Sequence, residues 1–587
     1  MTRDRGRAAL TIAGPFLLYL ALAVLVTAQV WVSPATHWIG GCCDPEQSIW
    51  FLRWVPYAIS HATSPFVTQQ INAPTGVNLM WNASILLIGL VLTPVTLTLG
   101  AIVAYNVAIV VAIAFSGWCT YIALRRYARS VAGPVVGGLV YAFSPYVISH
   151  ASIHLNLTAV WAPPLFLLLL DEILVRRRRS PWLLGLGLGL LAACQLLTTE
   201  EVLATCVVAA AVLAIVLAVV SISAEDSRQD LLRAGRRLAI ALVTATAGFL
   251  VLAGWPLAVQ FFGPQQIQGQ VQEVDTFGTN LLNLIVPTRY QLFTPEAAAQ
   301  FSDSFSRLYH EAGAYLGLPL LLLLIAFVAA RWQDRRVRAA ALVAVVMLVL
   351  SLGPTLHVAY TATGLPLPWL PFSKLPLLEH ALPGRLIVYT WLAVAVLIAI
   401  VVDEALQRPR EQALRRLAVL AVALAVATPA PLRTWTTEVP PFFARWNQGR
   451  IPAGDIVLMA PFFRNGAGAA PMVWAAAAGA EARMYEAYAY VPLPDGKPSF
   501  GPATTQLSKL MEAVQDRGVL IVARGDVRRL VAADLQAAMI DHVIVGPMLN
   551  RQQMVGFFTD LFGRPPDEID GVQIWSDVRR LGVAPVP

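Results

Sequence analysis

Asp44 stands in a polar and aromatic stretch, GCCDPEQSIWFLRWVPYAIS, which is followed by SPFVTQQINAPTGVNLMWN. A carboxylate at the edge of apolar surface has its pKa raised and can act as a general base towards a hydroxyl. The competing role is local: Asp44 caps a helix that begins near Pro45, with proline in its first turn. The residues by themselves weigh the two roles equally. Further polar side chains collect in turns between apolar runs. His150 and His154 follow Phe143-Ser144-Pro145-Tyr146, Glu200 and Glu201 end Thr198-Thr199-Glu200-Glu201, and His310 and Glu311 follow Tyr309. A turn could use Gly or Ser, so adjacent acids there suggest a site; the alternative is that Glu201 and Glu311 begin helices, where the dipole favours an acid. An anionic headgroup would need a cation, and the corresponding loops offer Arg53, Arg289, Arg307, Lys374 and Arg385. Arg385 suits bidentate phosphate binding, against the alternative of snorkelling at an interface. Cys119, Cys194 and Cys206 read as packing residues, and the adjacent Cys42 and Cys43 as free thiols rather than a vicinal or intermolecular disulfide. No zinc spacing is present, so no metal ligands are assigned.

These residues must be positioned by a mostly apolar chain. It has 587 residues, 57% hydrophobic and 13% charged, against about 25% charged in soluble domains. Mean hydropathy is +0.63. A soluble enzyme, a disordered chain and a coiled coil are excluded; a polytopic α-helical membrane protein is indicated. The basic balance does not point to nucleic acid, because its Arg clusters lie between apolar runs, as the positive-inside rule requires. The apolar runs are 8–32, 83–100, 102–124, 131–149, 154–175, 182–198, 202–221, 238–260, 313–330, 338–356, 384–402 and 415–430. The first is too long for a cleaved signal peptide and reads as a retained anchor. Arg3, Arg5 and Arg7 place the N-terminus in the cytoplasm, and Arg125, Arg126 and Arg129 must lie there too. Only one of 83–100 and 102–124 can then cross. The shorter, with Pro94 and several Thr, becomes an interfacial helix in a long first outer loop. About 11 spans remain, giving a membrane domain 1–430 and an extracytoplasmic domain 431–587. The near absence of charge within the runs argues against an ion-coupled transporter.

The tail reads as a small α/β domain. Strands are expected in DIVLMAP (455–461), Val519–Ala523, His542–Val545 and Val572–Trp575, and helices over Asp526–Met539 and Leu549–Phe562. No dinucleotide, P-loop or nucleophile-elbow motif occurs. The tail suits docking or capping, with acceptor binding as the other reading.

Together these features resemble the GT-C superfamily of membrane glycosyltransferases. The resemblance rests on Asp44-Pro45 with Trp50, the stretch Gly76-Val77-Asn78-Leu79-Met80-Trp81-Asn82, the Phe143–Tyr146 run and Leu382–Arg385. These motifs are similar to those of an actinobacterial GT-C-like group and, more distantly, of YfhO-like proteins. The resemblance implies an inverting hexosyl- or pentosyltransferase at the outer face of the plasma membrane, using a polyprenyl-phosphate-linked sugar donor. Its acceptor would be an envelope glycan, glycolipid or protein. Asp44 would match the catalytic acid of the family's first loop. Glu46, His154, Glu200, Glu201, His310 and Glu311 would be auxiliary, and one of the five cations would hold the donor phosphate. No cofactor is certain; a divalent metal stays open, because Glu46 replaces the family's more usual second Asp. The other class is a non-catalytic lipid or polysaccharide transporter or an assembly scaffold. A transporter would gather polar residues at the midplane, whereas here they gather at the boundary assigned to the outer side.

Overall fold

The computed structural model describes residues 2–222, 228–306, 308–463 and 468–579. The chain divides into two compact units. The first comprises Met1–Val32, Val107–Gly254 and Gln272–Arg433; the second comprises Ser33–Asn106, Trp255–Val271 and Thr434–Pro587. The tail expected from residue 431 thus shares its unit with the first long loop and with a short internal stretch.

The first unit is helical. Each of the eleven runs assigned to spans carries a helix. Among the described residues five helices are long and apolar enough to cross a membrane: Ala101–Leu124, Leu155–Arg176, Glu200–Val220, Leu232–Phe262 and Pro383–Leu406. The bent pair Ala132–Ala142 and Pro145–Ala151 makes a sixth if counted as one span. The chain is therefore a polytopic helical membrane protein. Pro383–Leu406 is its core helix, with 94% of its apolar window buried. Small residues let Ala132–Ala142 approach it closely. A Cβ on Gly133 would lie 2.5 Å from the Ala399 carbonyl oxygen, and one on Gly137 would lie 2.8 Å from that of Ala395. Several Arg-rich turns are anchored by acids: Arg126 to Glu172 at 2.7 Å, Arg176 to Asp171 at 2.8 Å and Arg331 to Glu404 at 2.9 Å.

The second unit contains a five-stranded sheet with β1 (Ile456–Ala460), β2 (Arg483–Met484), β3 (Ile540–Val545), β4 (Asp567–Ile569) and β5 (Val572–Trp575). Its order is β4-β5-β3-β1-β2; β3, β1 and β2 are parallel, while β5 and β4 run antiparallel to their neighbours. Helices Gln506–Arg517, Gly525–Ala537 and Arg551–Phe562 pack Met511, Val514, Val531, Leu535 and Phe558 into its core. The strand expected at Val519–Ala523 is absent. Only Ile521 and Ala523 of that run reach the core, and Leu520 is 81% exposed. The run is apolar enough for a strand, but it forms no ladder. The run 83–100 forms a 14-residue helix, Leu86–Leu99, shorter than the roughly 20 residues a span needs. It packs on the helix Asp44–Ser60 of the same unit.

The close approach at Gly133 gives a direct test. Gly133→Val puts a branched side chain into a backbone carbonyl and should cost at least about 1–3 kcal/mol. Thermal unfolding of the detergent-purified protein should show a lower midpoint. Gly235→Ala, where a Cβ meets nothing within 4 Å, should leave it unchanged.

Candidate functional site

The expected site residues fall into two clusters, one in each unit. In the second unit, Asp44 is the first residue of the helix Asp44–Ser60. Cys43 is the N-cap, in a left-handed conformation at φ 97°, and the carboxylate of Glu46 accepts the Cys43 amide. Glu46 therefore does the capping weighed for Asp44. This leaves the Asp44 side chain to another partner: the Tyr488 hydroxyl donates to its Oδ1 at 2.5 Å. Gln47, one turn on, donates to the Tyr488 carbonyl. Tyr105, fully buried and within electrostatic reach of Asp44 and Glu46, has a hydroxyl with no hydrogen-bond partner among the described residues. Along the same helix Trp50 stacks on Trp54, Trp54 on Tyr57 and Tyr57 on His61.

Electrostatics separates these groups. Burial pushes Glu46 up to about 7; the Cys43 amide opposes the shift and the charge of Asp44 adds to it. The raised carboxyl expected of Asp44 is found at its neighbour Glu46. Burial, with Asp44 beside it, also holds the Tyr488 phenol well above its ordinary value, so it stays a neutral donor. Cys42 and Cys43 form a disulfide, where free thiols were expected. The physical reason is local: two consecutive cysteines at this tight turn bring their sulfurs together.

The first unit holds the second cluster. Arg385, at the start of Pro383–Leu406, bonds to two acids: Glu201 at the head of Glu200–Ile222, and Glu311 in the turn before Leu318–Ala330. Glu201 also accepts the Leu382 amide at 2.9 Å. Glu311 is held on both sides: its carboxylate meets the Arg385 guanidinium at 2.6 Å and faces His150 Nε2 at 3.7 Å. Burial would raise the Glu311 carboxyl, but Arg385 and the imidazoles more than offset it and hold it well below the ordinary range. His150 Nδ1 lies 3.0 Å from His154 Nδ1, and the ring of His154 packs against that of His310 at 5.3 Å. Gly313 is required here, since a Cβ would lie 2.7 Å from the Tyr146 Cα.

Arg385 was expected to hold a phosphate. The structure shares its guanidinium between the carboxylates of Glu201 and Glu311. Arg289 is paired with Asp303 and lies over the Tyr309 ring. Arg53 is lowered by burial, against the charge of Glu481, Lys374 is exposed, and Arg307 lies outside the described residues. Of the pair Glu200 and Glu201, it is Glu201 that reaches Arg385. Sequence reasoning missed Tyr488 and Tyr105 as site residues; Tyr488 lies 444 positions from Asp44, and no local pattern joins them. His150 carried a readable signal, its four-residue spacing from His154.

Comparison with known proteins adds the family. Residues 16–428 match a family described as a domain of unknown function, DUF6311. The chain belongs to the DUF6311 family. No curated protein sequence matches this DUF6311 chain. Its fold is similar to that of the mycobacterial arabinofuranosyltransferase AftD, with a TM-score of 0.51 at 15% identity, covering 97% of this chain and 41% of that one. The DUF6311 chain thus spans less than half the length of that enzyme. Archaeal oligosaccharyltransferase AglB from Archaeoglobus fulgidus, in complex with an inhibitory peptide and a dolichol-phosphate, gives a TM-score of 0.45 at 12% identity over 94% of this chain and 71% of that one. The likeness to AftD is one of fold.

Two outcomes follow from these charges. Arg385→Met strands two carboxylates and should cost about 3–5 kcal/mol, whereas Glu201→Gln, which leaves Arg385 on Glu311, should cost about 1–3 kcal/mol. Equal thermal midpoints for Arg385→Met and wild type in detergent would refute the arrangement. For Glu46, a folded pKa of about 7 against 4.5 means the folded state holds the proton more tightly. Its contribution is full below about pH 4.5 and is lost as pH rises to about 7, by at most about 3 kcal/mol. Glu46→Gln should flatten the stability profile in that window.

Proposed function

We propose that this DUF6311 protein is an inverting glycosyltransferase. It transfers a sugar from a polyprenyl-phosphate carrier to an envelope acceptor at the outer face of the plasma membrane. The observation that carries the reading is the Asp44–Tyr488 pair beside buried Glu46. With the cap supplied by Glu46, the Asp44 carboxylate is positioned by a neutral phenol as a base would be. The fold likeness to AftD, an arabinofuranosyltransferase, supports the class of chemistry.

In this reading Asp44 takes the proton of an acceptor hydroxyl. The hydroxyl oxygen attacks the anomeric carbon from the face opposite the phosphate. The bond from that carbon to the phosphate oxygen breaks, and polyprenyl phosphate leaves with the electron pair. Tyr488 fixes the carboxylate before attack, which avoids reorganisation at the moment of transfer. The membrane supplies the donor's lipid, and the N-terminus is cytoplasmic with the second unit's tail outside.

The test compares envelope glycans and glycolipids in a deletion strain complemented with wild type or with Asp44→Asn, membrane insertion being checked in parallel. Wild type should restore a missing sugar linkage. Well-inserted Asp44→Asn should lower transfer about 10²–10⁴-fold, the range for loss of a positioned base. Full restoration by Asp44→Asn would remove the base and favour a transporter or scaffold.

A further inference from the structure

Three buried side chains of the first unit converge without a role in the transfer chemistry above. His150, His154 and Glu311 each offer one ligand atom, and these atoms all lie within 4.8 Å of one another. All three residues are buried: His150 is 1% exposed, Glu311 6% and His154 8%. We propose that they bind a first-row divalent transition-metal ion.

The donor set decides the class of ion. Two imidazoles and one carboxylate suit Mn, Fe, Co or Zn, whereas Mg and Ca take oxygen ligands. The two Nδ1 atoms are 3.0 Å apart, sharing a hydrogen bond that a bound ion would replace, and Glu311 faces the other nitrogen of His150, Nε2, at 3.7 Å.

A divalent ion uses all three donor atoms at once. The surrounding groups are those that orient metal ligands. Arg385 fixes the Glu311 carboxylate, Glu201 fixes Arg385, and the His310 ring packs on His154. The ligands come from two separate chain segments: His150 and His154 from the bent helix pair and the turn after it, and Glu311 from the turn before Leu318–Ala330. Metal binding would therefore tie these elements together.

The test uses the full chain purified in detergent, stripped with a chelator and dialysed. Equilibrium dialysis against Co²⁺ or Mn²⁺ in excess Mg²⁺ should show one ion per chain. His150→Ala, His154→Ala and Glu311→Gln should each lose at least about 10-fold in affinity, and His61→Ala, on the second unit, should lose nothing. Because a substituted core could fail to fold, the Mn²⁺- or Cu²⁺-loaded wild type is also examined by electron spin-echo spectroscopy. Modulation from two imidazole nitrogens is expected. Absence of a bound ion, of that nitrogen signature, or of any difference among folded variants overturns the proposal. None of these measurements depends on glycosyl transfer.

Discussion

The arginine of the core helix governs the first unit. Arg385 is largely buried, with 14% of its side chain exposed, and its charge is held there by Glu201 and Glu311. Each acid arrives from a different helix or turn, so the ion trio fixes three elements at one point. Removing water from such charges costs several kcal/mol per ion, and only close, multiply bonded partners offset it. The packing follows this constraint. Gly133 and Gly137 bring a neighbouring helix against the same core helix, and Gly313 lets the Glu311 turn press onto Tyr146. The imidazoles of His150, His154 and His310 complete the polar interior.

The second unit depends on hydrogen bonds between distant stretches of chain. Asn72 accepts the Ala487 amide at 3.0 Å, and Asn82 both donates to the Tyr490 carbonyl and accepts its amide. His37–Ile39 pairs with Thr434–Thr436 as a two-stranded ladder. A long loop would otherwise carry many unsatisfied backbone groups. Here the tail supplies their partners, which makes the Asp44 helix rigid enough to hold a carboxylate against Tyr488. The loop and the tail are one folded unit for that reason.

How much of this was legible follows the range of each interaction. Apolar periodicity is local, and it placed helices at each expected span and strands at Ile456–Ala460, Ile540–Val545 and Val572–Trp575. It failed at Val519–Ala523, where composition permits a strand but only Ile521 and Ala523 reach the core. The polar turns at His154, Glu201 and Glu311 stood out as charges among apolar residues. Their mutual contact, and the sharing of Arg385 between two acids, could not be read, because phosphate binding and ion pairing ask for the same arginine.

From its own residues the chain determined its class: long apolar runs need a membrane, and Arg clusters between them mark their ends. It also determined where polar chemistry could stand, since each exception to apolar composition is visible one residue at a time. Tertiary structure alone decided the partners. It gave Asp44 to Tyr488, the cap to Glu46, Arg385 to two carboxylates, and His150 to His154 and Glu311. Apart from the short spacing of His150 and His154 and the cap within its own helix turn, these pairings join residues tens to hundreds of positions apart. A sequence specifies such contacts only through the packing of the whole fold.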